Sequence, residues 1–338
     1  MAVRTFAVPD PERLVAALAP PWPADGPVDV IIDADPTNEI DDQFALVWAM
    51  LRQDRVHLVG LTAAPYSFEP EVLLGAGTAS LDRRRLHSAE LPAVSPAEGV
   101  ENARRELVHI CELMGAPVDL VVAGADRFMP APTEAVPSAA AEMIVQAARA
   151  HRGGPLHIVG IGCATNIASA LLLAPDIADR VVVTWTSAYP SFWPFPNASY
   201  NLALDLHASR LLFSSGVPLV YLPGYYVGEE LRVTLPEIEA YVAGRGAPGD
   251  YLAEIYRSHG NPPHRPGRSK VLWDMINIAW LIEPSWLDTR LVPAPELDPT
   301  LHWTRPTPHH LMREATDLDR DAVLGDLYAC LDGCATTE

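Results

Sequence analysis

Short apolar runs, rich in β-branched residues, recur along the first two thirds of the chain. Longer stretches with helical spacing lie between them. The runs are Val28–Asp33 (VDVIID), Val56–Ala63 (VHLVGLTA), Val118–Val122 (VDLVV), Leu156–Ile161 (LHIVGI), Val181–Thr186 (VVVTWT) and Val217–Leu222 (VPLVYL). They are nearly continuous in apolar character, the pattern of strands covered on both faces. Asp41–Arg52, Val100–Met114, Ser138–His151, Asn166–Leu173 and Asp205–Ser214 read as the intervening helices. This alternation predicts an α/β fold: an open, mostly parallel sheet flanked by helices, with a Rossmann-like core. No internal repeat and no long linker interrupts it, and the Pro-rich stretches read as loops. One domain is therefore expected over residues 1–338, with a core at about 28–285 and a loop-and-helix extension over 286–338. In such sheets ligands bind at the carboxyl ends of the strands, so the residues just after each run carry the candidate chemistry.

Charge narrows the partners. The 338 residues include 24 basic and 43 acidic side chains, a formal charge of −19, with no basic run to reverse it. Nucleic acid is excluded as an expected partner, because affinity for phosphate backbones needs clustered Lys and Arg. A membrane is excluded too: no apolar stretch reaches the ~18–20 residues of a span. The first residues lack the apolar core of a signal peptide. Four scattered cysteines (Cys111, Cys163, Cys330, Cys334) fit a reducing cytoplasm better than a disulfide scaffold. A small molecule, a cation or another protein remains. Lys270 is the chain's one lysine; every other basic side chain is arginine.

The acids are not evenly spread. Directly after VDVII comes Asp33-Ala-Asp35-Pro-Thr-Asn38-Glu39-Ile-Asp41-Asp42, followed by an apolar helix. One aspartate at a strand-to-helix junction would be an ordinary N-cap. Five acids within ten residues repel one another, and a hard cation offsets that repulsion; Ca²⁺ takes six to eight oxygen ligands.

Two families begin in this way. Asp33-Ala-Asp35-Pro-Thr37 resembles the DxDxT loop of haloacid-dehalogenase-type phosphatases, which implies an aspartyl nucleophile and Mg²⁺. That resemblance covers five residues, and the later acids available, Asp317 and Asp319, follow no apolar strand. The alternative reaches much further. Asp33-x-Asp35…Asp41-Asp42 resembles the DxDxxxDD block of inosine-uridine-type nucleoside hydrolases, with two extra residues before the pair. Ile161-Gly-Cys-Ala-Thr165-Asn166-Ile-Ala resembles the family's GxLTNIA stretch. Tyr200-Asn201-Leu…Asp205 with Ser215-Gly-Val-Pro resembles its EFN…D…SGxP region, and Lys270-Val-Leu-Trp273-Asp274 its late HD or WD block. The four blocks stand in the family's order from Val28 to Ile282.

Membership of that family implies a Ca²⁺-dependent N-ribosyl hydrolase that releases a free base from a purine or pyrimidine nucleoside, through an oxocarbenium-like sugar. It also implies a homodimer or homotetramer. Carried over by position, Asp35 is a metal ligand and the general base. Asp42, Asp274 and the backbone carbonyl of Ile161 complete the ligands. Asp41 and Asn201 hold the ribose. Asp33 supports the cluster without touching the ion; apart from the resemblance, Asn38, Glu39, Asn166 and Lys270 are expected around it, although Asn166 taken by itself reads as a helix N-cap. Departures are equally specific. Trp273 replaces the histidine that helps protonate the leaving base, and either stacks on the base or packs in the core. Ser199 replaces the family's Glu beside the ribose, which weakens a contact there. Trp193, and His264 in the loop before Asp274, are further candidates to face the substrate. These departures keep a third reading open: a nucleoside-binding or regulatory homologue with weak catalysis.

Overall fold

The computed structural model describes residues 6, 10–21, 26–69, 93–259, 267–305 and 310–335. Its main sheet has eight strands in the order β3-β2-β1-β4-β5-β6-β12-β9. They are β1 (Val28–Ala34), β2 (Val56–Ala63), β3 (Val121–Val122), β4 (Leu156–Gly160), β5 (Val181–Ser187), β6 (Leu219–Pro223), β9 (Leu287–Pro293) and β12 (Leu311–Leu318). All neighbours pair in parallel except β12 with β9. From β1 the chain winds outward through β2 and β3, then returns to place β4, β5 and β6 on the other side. The winding therefore reverses between β1 and β4, which opens a crevice at their carboxyl ends.

The central apolar runs form strands within one or two residues of the expected bounds, because burial on both faces leaves their pattern unambiguous. Two outer segments differ. Of Val118–Val122 only the last two residues pair, while Val118–Leu120 form a 3₁₀ turn with Val118 exposed. Residues 286–338, expected as loop and helix, supply two strands of the main sheet, β9 and β12, before the Arg320–Ala335 helix. Their sequences, LDTRLVP and LMREATDL, mix charges into the apolar positions because this margin of the sheet is partly wet. Asp317 thus does lie in a strand, but it is exposed and pairs across to Asp288, four strands away from β1. His310, in a Pro-rich loop that reads as surface, is buried.

The Asp41–Leu51 helix is buried on nearly every side, which its run of apolar residues requires. It packs against the Met275–Ile282, Pro96–Met114 and Arg320–Ala335 helices. The Trp48 indole N–H donates to Asp326 Oδ1 at 2.8 Å, and Arg52 pairs with the same carboxylate. A two-stranded ladder, β7 (Arg232–Thr234) against β8 (Ser269–Val271), sets Lys270 opposite Val233 and leads into Asp274. Two further residue pairs form the ladder of β10 (Glu296–Leu297) with β11 (Trp303–Thr304). Among the described residues no helix is long and apolar enough to cross a membrane.

Glu314 on β12 is fully buried. Its carboxylate accepts from the Ser191 backbone N–H at 2.6 Å and the Ser191 hydroxyl at 3.0 Å, and pairs with Arg290 at 3.1 Å. It fastens the Pro190–Pro196 loop to the late strand. Glu314→Ala leaves a buried donor unpaired and is expected to cost about 2–4 kcal/mol. Urea unfolding tests this; a loss below about 0.5 kcal/mol, the size of an ordinary surface change, refutes it.

Candidate active site

Asp33, at the end of β1, is buried, and its Oδ2 has no partner among the described residues. Its Oδ1 accepts from Thr62 Oγ1 at 2.6 Å and Asn166 Nδ2 at 2.8 Å, which locks β1 to β2 and to the Thr165–Leu173 helix. Its carbonyl accepts the Ile161 N–H at 2.9 Å, joining β1 to the end of β4. Asn166 is not the N-cap that its sequence position suggests, since Ala164 occupies that place. It works as a four-way tie: Nδ2 also donates to the Ala63 carbonyl, while Oδ1 accepts from Ala125 N–H and, at 3.4 Å, from Ser138. Gly124 is obligatory beside it, because a Cβ there would lie 2.4 Å from the Asn166 amide and 2.0 Å from the Ala63 oxygen.

Asp35 follows in a tight loop, with Thr37 at φ 83°, a strained conformation for a β-branched residue. Thr37 is held there by a 2.8 Å contact with the Tyr66 hydroxyl. Asp35 donates its N–H to Asp42 Oδ1 at 3.0 Å and accepts from Asn38 Nδ2 at 3.2 Å. Its Oδ1 is buried with no partner among the described residues. Carboxylate oxygens of Asp41, Asp42 and Asp274 lie within 4.8 Å of one another, all three buried. Asp41 and Asp42 open one helix and Asp274 stands at the N-cap of another, so two helix N-termini converge on the triad. Asp274 makes no side-chain cap bond, so its carboxylate is committed to the cluster and not to its own helix. Asp41, expected to hold the ribose, thus completes this triad, while Asp35 stands beside it. Lys270 Nζ pairs with Glu39 and with Asp41 Oδ1 at 3.4 Å. A buried, all-oxygen donor set of this charge fits a hard divalent cation.

The other expected residues divide. Asn201 reaches the site, but its Nδ2 donates to the Ile161 carbonyl at 2.9 Å, and only its buried Oδ1 lacks a partner among the described residues. Ser199 turns away: its hydroxyl meets that of Ser187 at 2.5 Å. Trp273 is half-buried at the mouth, edge-on to Tyr225 at 5.3 Å, and not a core residue. Tyr225 stacks on Tyr189 at 4.2 Å, and Tyr189 on Trp193 at 4.6 Å, which makes one aromatic wall. His264 lies outside the described residues. Tyr66, Phe68 and Tyr200 form a second aromatic group, and Tyr200 is anchored to the Ser67 carbonyl at 2.8 Å. Trp185 is core, its indole supporting the Gly162 carbonyl at 3.0 Å. Cys163 is inert: its thiol donates to the Pro65 carbonyl, and burial pushes its pKa well up. Sequence reasoning missed Asn277, which donates to the Gly160 carbonyl at 3.0 Å from inside the helix after Asp274. The signal was there, a lone amide in the apolar run MINIAWLI.

Burial, followed by repulsion from neighbouring aspartates, raises the carboxyls of Asp35, Asp42 and Asp274 well above their ordinary range. Burial alone lifts Asp33 from 3.8 to about 7, against the pull of Thr62 and Asn166. Each group binds its proton more tightly folded than unfolded, so the folded state gains stability as pH falls and loses it as pH rises from about 4 through those raised values. In EDTA the melting temperature is therefore expected to drop between pH 5 and pH 8. A melting temperature that climbs across that window, measured by calorimetry, contradicts this charge balance.

Comparison with known proteins agrees with the geometry. Similar curated sequences include an uncharacterised protein of Schizosaccharomyces pombe, 28% identical over 167 residues, covering 45% of this chain and 51% of that relative. The pyrimidine-specific ribonucleoside hydrolase RihA of Salmonella paratyphi A is 26% identical over 268 residues, covering 77% of this chain and 81% of its own length. Among solved structures, the purine-preferring ribonucleoside hydrolase from Gardnerella vaginalis superposes with a TM-score of 0.65 at 21% identity, over 92% of this chain and 100% of that one. The sequence profile of inosine-uridine preferring nucleoside hydrolases matches residues 30–324, and this chain belongs to that family.

Proposed function

We propose that the chain is a Ca²⁺-dependent N-ribosyl hydrolase that cleaves a nucleoside, or a nucleoside-like compound, to ribose and free base. As a member of its family it is a hydrolase acting on N-glycosyl compounds. The observation that carries the finer reading is the buried acid cluster at the β1/β4 crevice, with Asp35 Oδ1 buried and without a partner among the described residues. Asp35, Asp42, Asp274 and the Ile161 carbonyl would hold the ion, with Asp41 at its edge. When bound, Ca²⁺ supplies a Lewis acid that makes a water easier to deprotonate and draws ribose hydroxyls toward it.

Asp35 receives the proton of the attacking water on Oδ1. Asn201, its Nδ2 already engaged, accepts a ribose hydroxyl on Oδ1, and Asp41 accepts another. Trp273 lays its exposed face against the base, where the family's histidine would stand, and Trp193 extends that wall. One relative is pyrimidine-specific and another purine-preferring; the aromatic wall supports a planar base as the leaving group without choosing between those classes. All four cysteines are free thiols, which supports a cytoplasmic setting. A homodimer or homotetramer is the assembly the family resemblance supports.

A nucleoside panel read by reducing-sugar release tests the activity, with EDTA expected to abolish turnover and Ca²⁺ to restore it. Tight nucleoside binding without turnover would leave a binding homologue instead. Asp35→Ala is expected to lower kcat by about 10³-fold or more, in the range of removing a general base that also orients the nucleophile. Unchanged kcat on the true substrate rejects Asp35 as the base. Trp273→Ala is expected to raise KM about tenfold, consistent with the loss of one base-stacking contact. Unchanged KM would show that Trp273 does not meet the base.

A further inference from the structure

The one lysine of this chain is buried at the rim of the acid cluster, in a protein that otherwise uses arginine for its basic side chains. Its ammonium has three N–H donors, and among its acceptors are the Glu39 carboxylate, Asp41 Oδ1 at 3.4 Å and the Val271 carbonyl at 2.7 Å. A compact ammonium suits that arrangement. Arginine's planar fork of five donors would need more acceptors and more room. Lys270 stands four residues before Asp274, on β8, while Glu39 and Asp41 come from the loop after β1. One cation therefore spans the two segments that supply the triad. Glu39 also lies in the stretch between Asp35 and the Asp41-Asp42 pair, which is two residues longer than the family block.

We infer that Lys270 is a resident counter-cation of the metal site, resting on the reading that this cluster binds a divalent ion. Its charge offsets part of the repulsion among Asp41, Asp42 and Asp274 when no ion is bound. Because it has the same sign as the ion, it also holds the ion's affinity down. Glu39 sets the strength of that effect, by drawing the ammonium to the rim and neutralising it there. Lys270 is thus a positioning and affinity-setting residue, and it touches neither substrate nor ion.

Calorimetric titration of the full chain with CaCl₂ at fixed ionic strength, together with melting in EDTA, tests this in wild type, Lys270→Met and Glu39→Gln. Lys270→Met is expected to melt lower in EDTA yet bind Ca²⁺ about tenfold more tightly, the order expected for removing a unit charge several ångströms from a divalent ion. Glu39→Gln is expected to bind Ca²⁺ more weakly by a similar factor. General loosening of the site would weaken both variants, so the opposite signs are diagnostic. Affinity within twofold of wild type, or weaker, in Lys270→Met overturns the inference, as does unchanged or tighter binding in Glu39→Gln. Where Lys270→Met does not fold, Lys270→Gln and the Glu39→Gln arm decide on the same signs. A wild type that binds no Ca²⁺ fails the metal reading itself, a result separate from a wild type that binds and variants that do not diverge.

Discussion

Like charges held close together in a dry crevice are the constraint on which the rest of this structure depends. Asp33, Asp35, Asp41, Asp42 and Asp274 are all buried, and five carboxylates cannot share such a place without compensation. The fold supplies it in several forms. Thr62 and Asn166 donate to Asp33 Oδ1; Asp42 accepts the Asp35 N–H; two helix N-termini face the triad; Lys270 brings a positive charge to its edge. What remains is an excess of negative oxygen that suits a divalent cation. The raised carboxyl pKa values express the same excess in the language of protons.

The parallel sheet is what makes so dense a cluster possible. Reversal of winding between β1 and β4 opens the crevice, and the ends of both strands deliver backbone and side chains into it from either side. The packing beneath is close: a Cβ on Gly162 would lie 2.7 Å from Ala64 Cβ and 3.1 Å from the Asp35 carboxylate. Rigidity of this kind holds Asp35 without a tight network of hydrogen bonds to both its oxygens. The late strands contribute from a distance. Glu314 of β12 fixes the loop that carries Trp193, and the C-terminal helix clasps the far end of the Asp41–Leu51 helix through Asp326.

Substitutions relative to the family pattern have local physical consequences. With Ser at position 199, the short hydroxyl closes on Ser187 and cannot reach the crevice as a glutamate would. With Trp at 273, a half-buried aromatic ring stands where the family pattern has an ionisable one, so that position no longer offers an ionisable group. Relative to the family pattern, the aspartates and Asn201 are kept, and positions 199 and 273 are changed.

Sequence alone determined the elements and chemistry that depend on local order. Continuous apolar runs mean strands buried on both faces, and five acids packed into ten residues demand compensation for their charge, wherever the rest of the chain goes. Four ordered blocks pointed to the family for the same reason: each is a short local pattern, legible in order along the chain. Tertiary structure alone decided everything that depends on which segments meet. The late strands were hidden because they lie at the margin of the sheet, β9 at its edge and β12 beside it, where exposed positions tolerate charge. The role of Asn166 could not be read from its place at a helix start, since its four partners come from four separate segments. Lys270 and Glu39, 231 residues apart, form an ion pair only because the β7–β8 ladder returns the chain to the first crevice. Periodicity records whether a face is dry; it does not record which distant charge will be waiting there.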